Sequence, residues 1–116
     1  MAGTALSVAA LPIIESGPTV IEVSAPPAVR TAGGRRLAQF EAGRKLVARS
    51  GCLACHRIGD SGNRGPGPDL THVGSVLSRA RIERSLVRPT APMPSFKHVP
   101  RAKLRDIVVF LSLLRR

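Results

Sequence analysis

The pentapeptide Cys52-Leu53-Ala54-Cys55-His56 constrains this chain more than any other feature. Its two cysteines are the only ones in 116 residues, and a histidine follows the second directly. On one helical turn, positions i, i+3 and i+4 project from one face. Two thiols so placed can add to the two vinyl groups along one porphyrin edge, and the next imidazole can reach the iron. Cys-x-x-Cys-His is the spacing of covalent haem attachment. Other uses fit less well. A zinc site needs more ligands, and no second cysteine pair exists to supply them. His72 and His98 could be recruited, but at no spacing typical of a zinc module. A thioredoxin-like dithiol needs a βαβ context that the sequence lacks. A disulfide across three residues would close almost no loop.

Length and composition agree with a prosthetic group. The chain is long enough for one domain and a tail. It has three aromatics (Phe40, Phe96 and Phe110) and no Trp or Tyr. So few large side chains bury little surface in a small domain, and a haem would fill the centre. The net charge is +11, and fifteen of the eighteen basic residues are Arg. That balance suits a solvated basic surface or docking to an acidic redox partner. Nucleic acid is not an expected partner, because the arginines are dispersed and no binding motif or row of stacking aromatics accompanies them.

Residues 1–34 differ from the rest. Ala5–Ile14 is mildly apolar but broken by Pro12, too short for a bilayer, and preceded by no Lys or Arg. Residues 15–34 carry prolines and glycines and read as a linker, with a weak extended segment at Thr19–Val23. Residues 1–34 are therefore expected to be an extended or disordered tail, the remnant of an export or anchor sequence in a longer precursor. Residues 35–116 are expected to form the haem domain.

Within that domain, Leu37, Phe40, Leu46 and Val47 predict a helix over Arg35–Arg49. Gly43 interrupts it at a cost of about 1 kcal/mol, which points to close approach of another element. Gly51 ends it. Residues 57–75 read as a glycine-rich loop with little regular structure. Ile82, Leu86 and Val87 predict a short helix over Arg79–Val87, stopped by Pro89. Residues 89–100 hold four prolines and must be extended. Leu104, Ile107, Val108, Leu111 and Leu114 mark a last helix, with Pro100 in its first turn.

A haem held by one histidine is open on its other side, and electron carriers usually close that side. Met93 is the only non-terminal methionine, and Pro92 and Pro94 stiffen the backbone around it. It is the expected sixth ligand, with His72 and His98 as competitors.

These elements resemble class I c-type cytochromes over residues 36–116. The order is shared: a first helix with Gly43, Cys-x-x-Cys-His, a Gly67-Pro68-Asp69-Leu70 loop, a short helix ending at Pro89, a Met93-Pro94 loop, and a last helix with Phe110. The resemblance implies an all-α cytochrome c fold of three main helices and Gly/Pro-rich loops around one haem c. It implies that Pro68 supplies a backbone carbonyl to the free ring N–H of His56, which tunes the ligand. It also implies that the first and last helices cross at Gly43 and Phe110. The chain departs from the family at Arg88, where relatives often carry Asn, and at Val47, where an aromatic is frequent and looser packing is expected.

The function so implied is single-electron transfer through a haem c bound by Cys52, Cys55, His56 and Met93, without substrate chemistry. The resemblance extends, through the Pro92-Met93-Pro94 segment, to the single-haem domains attached to bacterial membrane electron-transfer chains. It places the domain in the periplasm or on the outer face of the cytoplasmic membrane, free or within a membrane complex. The alternatives are a haem enzyme or sensor with a displaceable sixth ligand, and a fixed subunit of a membrane oxidoreductase.

Overall fold

The computed structural model describes residues 20–116. Four helices carry the architecture: α1 (Pro27–Ala32), α2 (Gly34–Arg49), α3 (Arg79–Val87) and α4 (Arg101–Ser112). A two-stranded antiparallel hairpin, β1 (Arg57–Ile58) and β2 (Ser61–Gly62), pairs Arg57 with Gly62 and Ile58 with Ser61. Short 3-10 turns occupy Cys52–Ala54 and Val73–Ser75. The protein is all-α in class, as expected, with the hairpin and the second turn lying in the segment read as irregular loop. None of the described helices is long and apolar enough to cross a membrane.

The crossing of α2 and α4 organises the core. At Gly43 an added Cβ would lie 2.1 Å from the Asp106 carbonyl oxygen and 2.6 Å from the Phe110 Cβ. Only glycine lets the two backbones meet there. One turn before it, Phe40 packs on Phe110 with ring centroids 5.1 Å apart and planes tilted by 58°, a favoured aromatic geometry. The Gln39 amide donates to Asp106 Oδ1 at 3.1 Å on the rim of the same contact. Two of the three aromatics are thus spent on one crossing. Val47 lies a turn further along α2 and is fully buried.

Caps set the shorter helix. Ser78 stands before α3, and its hydroxyl accepts from the Arg81 backbone N–H at 3.3 Å, satisfying one of the donors that a helix start leaves unpaired. Pro89 follows the end of α3. Pro100 sits just before α4 as its cap residue, not inside the first turn.

The expectation of an extended or disordered tail as far as residue 34 is corrected for residues 20–34. Ile21 is fully buried, and Ala25 and Val29 are buried with it in the main core. The Arg44 guanidinium donates to the Ile21 carbonyl at 2.9 Å, and the Ser61 hydroxyl donates to the Val20 carbonyl at 3.2 Å. This strand-like strap is therefore fastened to α2 on one side and to the hairpin on the other. Proline at the first position then starts α1. The apolar residues at 21, 25 and 29 recur every fourth position, a spacing masked by the surrounding prolines. The Ala5–Ile14 segment lies outside the described residues, as does the first residue of the Thr19–Val23 segment.

Two substitutions test this packing. Gly43→Val forces the α2–α4 crossing apart and is expected to cost about 1–3 kcal/mol. Ile21→Ala empties a fully buried site and is expected to cost about 2–5 kcal/mol. Both are read as falls in the denaturant midpoint; an unchanged midpoint for Ile21→Ala would show that the strap contributes nothing to the core.

Candidate cofactor-attachment site

The site begins where α2 stops. Gly51 takes the left-handed conformation at φ 83°, which lets the chain leave the helix and re-enter a single tight turn. Within that turn the Cys55 backbone N–H bonds to the Cys52 carbonyl at 3.2 Å, and the His56 N–H bonds to the same carbonyl at 2.9 Å. Residues 52, 55 and 56 therefore sit at i, i+3 and i+4 of one helical turn. Leu53 points into the core while Ala54 is exposed. Both thiols are free and half-buried. Burial pushes the Cys52 thiol above its ordinary range, with a backbone hydrogen bond partly opposing it.

His56 is buried, and its orientation is fixed. Its Nδ1 lies 2.7 Å from the Pro68 carbonyl oxygen. A carbonyl can only accept, so Nδ1 carries the proton and donates, and in the neutral ring Nε2 is the nitrogen with the lone pair. The loop bearing Pro68 presses on the ring. A Cβ at Gly67 would lie 2.4 Å from His56 Cε1 and 2.8 Å from Nε2. No side chain fits there while the imidazole holds this pose.

Further bonds tie that loop to the turn. The Gly67 N–H donates to the Cys55 carbonyl at 2.8 Å, and the Leu70 N–H donates to the Arg57 carbonyl at 2.8 Å. The Asp69 carboxylate accepts from the Thr71 hydroxyl at 2.5 Å and from the Thr71 backbone N–H at 2.8 Å. These bonds, the hydroxyl first, hold Asp69 below its ordinary value of 3.8, with smaller help from Arg57 and His72. The stability they add is present above the ordinary carboxylate range and is lost as pH falls below it. Thr71 Oγ1 also accepts from the Gly59 N–H at 2.9 Å, linking the loop to the hairpin.

Sequence reasoning missed Asn63. Its amide donates to the Ala54 carbonyl at 2.8 Å, and its backbone N–H donates to the Leu53 carbonyl at 3.0 Å. Both bonds hold the middle of the Cys-Leu-Ala-Cys turn. An isolated Asn among glycines reads as an ordinary loop residue, so no local signal marked it.

Met93 is half-buried and packs against the core from its loop between α3 and α4. The loop is anchored to the end of α3. The Phe96 N–H donates to the Leu86 carbonyl at 2.8 Å, and the Ser95 hydroxyl donates to the Val87 carbonyl at 2.7 Å. The competing candidates His72 and His98 are both exposed. Among the described residues, no three His, Cys, Asp or Glu side chains are grouped to hold a metal ion.

These residues fit a haem c. Two free thiols share one turn, and a buried imidazole has one nitrogen committed to a carbonyl and the other left for a metal. Comparison with known proteins agrees. Residues 38–111 match the family described as cytochrome C oxidase, cbb3-type, subunit III. A search of curated proteins finds no match. Among solved structures, the c-type cytochrome SorU from Sinorhizobium meliloti shares the fold, with a TM-score of 0.57 at 18% identity over 68% of this chain and 93% of that one. The chain belongs to the cbb3-type subunit III family of cytochromes c, as a monohaem class I domain with the cytochrome c fold, a covalently bound haem c and a role in haem-based electron transfer.

Proposed function

We propose that the chain is a single-electron carrier in which Cys52 and Cys55 would form the thioethers, and His56 Nε2 and Met93 would hold the iron. The observation that carries this reading is the His56–Pro68 hydrogen bond at 2.7 Å. It sets the tautomer and the ring plane that iron ligation requires. When bound, haem c supplies a one-electron iron couple. The protein's part is to hold the ligands still and to keep water away. The Pro68 carbonyl makes His56 a stronger donor by drawing on its N–H. Met93, a soft ligand, favours the reduced iron and raises the potential. Met93 sits in a loop braced at Leu86 and Val87, which supports a site that changes little between oxidation states. No substrate is bound and no bond is made or broken.

The family's name supports a place in a membrane-bound respiratory oxidoreductase. We place the domain on the periplasmic side of a bacterial cytoplasmic membrane, with acidic redox proteins as partners. A haem enzyme or sensor with a displaceable Met93 is the reading to exclude.

Absorption spectroscopy tests the ligand set. The oxidised protein at neutral pH should show the weak red-end band of an iron–methionine bond, and Met93→Ala should abolish it and lower the potential. The reduced protein should resist carbon monoxide while the variant binds it readily. A rapid, complete shift of the wild type with carbon monoxide would overturn the carrier reading.

The proximal side has its own test. Gly67→Val places a side chain on the His56 ring and is expected to cut the yield of covalently attached haem on denaturing gels. It should also cost about 1–3 kcal/mol in the attached fraction. Full attachment with an unchanged spectrum would show that the loop is free to retreat.

A further inference from the structure

The turn that carries the two thiols is held from outside itself. A single turn is too short to pair its own carbonyls, yet each carbonyl from Gly51 to Cys55 has a donor. The Gly51 carbonyl accepts from the Ala54 N–H at 3.1 Å, and the Cys52 carbonyl accepts from the N–H groups of Cys55 and His56. The Leu53 carbonyl accepts from the Asn63 N–H at 3.0 Å, and the Cys55 carbonyl from the Gly67 N–H at 2.8 Å. The Ala54 carbonyl accepts from the Asn63 side-chain amide at 2.8 Å. Every donor in this set belongs to the backbone except that amide.

The two cysteines are not held alike. Cys52 stands beside Leu53, whose side chain is buried in the core, and its carbonyl takes two bonds. Cys55 follows Ala54, which is exposed and anchors nothing. Peptide units are planar, so the planes on either side of a residue set the direction of its Cβ. For Cys55 these are the 54–55 and 55–56 peptides. The Gly67 N–H holds the second through the Cys55 carbonyl. The Asn63 amide holds the first through the Ala54 carbonyl. The Cys55 N–H adds only the longest bond of the turn, at 3.2 Å. Gly62 delivers Asn63 to this place. An added Cβ at Gly62 would lie 2.2 Å from the His56 carbonyl oxygen and 2.8 Å from Leu53 Cδ2, so β2 runs in contact with the turn.

Resting on the reading that Cys52 and Cys55 form the thioethers, we infer that Asn63 is a positioning residue for haem attachment, and that it serves the bond at Cys55 more than the bond at Cys52. Each attachment adds a thiol across a vinyl group. The S–H bond and the vinyl π bond break, a C–S and a C–H bond form, and no electron is gained or lost. Such an addition has no leaving group to drive it, so it depends on how long the sulfur stays aimed at the carbon. Without the amide, the 54–55 peptide is free to turn and the Cys55 thiol swings with it. Cys52 keeps its anchor through Leu53. A hydrogen bond of ordinary worth corresponds to about a five-fold change in the aimed population.

The test matures the full chain in a bacterial host that attaches haem c. Asn63→Ala removes the amide. Asn63→Asp keeps its shape but offers a carboxylate, which cannot donate to the Ala54 carbonyl. Ser78→Ala is the control: it removes the α3 cap, at a comparable loss of stability, far along the chain from the turn. Two readouts are independent of electron transfer. The pyridine haemochrome band lies at longer wavelength when one vinyl group remains. Alkylation in denaturant followed by peptide mass mapping shows which cysteine is still a thiol. The wild type and Ser78→Ala should show two thioethers and no free thiol. Both Asn63 variants should shift the ratio of two-thioether to one-thioether protein by about five-fold, with the free thiol at Cys55. Asn63 variants with the wild-type band, a free thiol found equally at both cysteines or at Cys52, or an equal shift in Ser78→Ala would each overturn the proposal. Wild-type protein that retains no haem on denaturing gels would sink the assignment of Cys52 and Cys55 itself.

Discussion

The imidazole of His56 has two nitrogens, and the structure uses one of them to fix the other. The bond from Nδ1 to the Pro68 carbonyl, at 2.7 Å, is the constraint on which the site depends. It requires the loop at 67–68 to lie flat on the ring, which excludes a side chain at Gly67. It requires the loop to be held from behind, which the bonds to Cys55 and Arg57 and the Asp69–Thr71–Gly59 link provide. A buried donor in a low-dielectric setting is costly to leave unpaired, so the loop and the ring hold each other in place.

The rest of the fold is arranged to bring that loop within reach. The Cys-His turn leaves α2 through Gly51, and α2 is itself located by its crossing with α4 at Gly43 and Phe40–Phe110. The strap at residues 20–26 closes the other side, spanning from Arg44 on α2 to Ser61 on the hairpin. The hairpin starts one residue after His56. Ile21 therefore buries apolar area at the seam between the helix that enters the site and the hairpin that leaves it. In a chain with three aromatics, an aliphatic strap of this kind adds core where large rings are missing.

Parts of this arrangement could be read from the sequence because they are local. The span Arg79–Val87 follows from an apolar stripe and a proline stop, and the structure has that helix at those residues. The α2–α4 crossing was legible through one anomaly, a glycine inside a helical pattern. Other parts depend on partners distant in sequence. Ile21 is apolar among prolines, and only its meeting with Arg44 and Ser61 makes it core. Asn63 serves two carbonyls nine and ten residues back, a relation that no spacing rule encodes. The hairpin at 57–62 has two-residue strands, too short for alternation to show.

Charge sets the helices apart from the loops that carry the site. Fixed dipoles and hydrogen bonds act at short range, so the supports of His56 need no net charge, and residues 52–75 carry none. Unpaired cations act over a Debye length, and they stand in the first turns of α2, α3 and α4, where they weaken helix starts that acidic residues would have strengthened. A protein that only needed a soluble surface could have interspersed both signs at no such cost. The same chain thus sets its ligand geometry with short-range bonds among groups whose charges balance, and carries its long-range field on its helices. Changes to the field can then alter encounter with a partner while leaving the bond to His56 untouched.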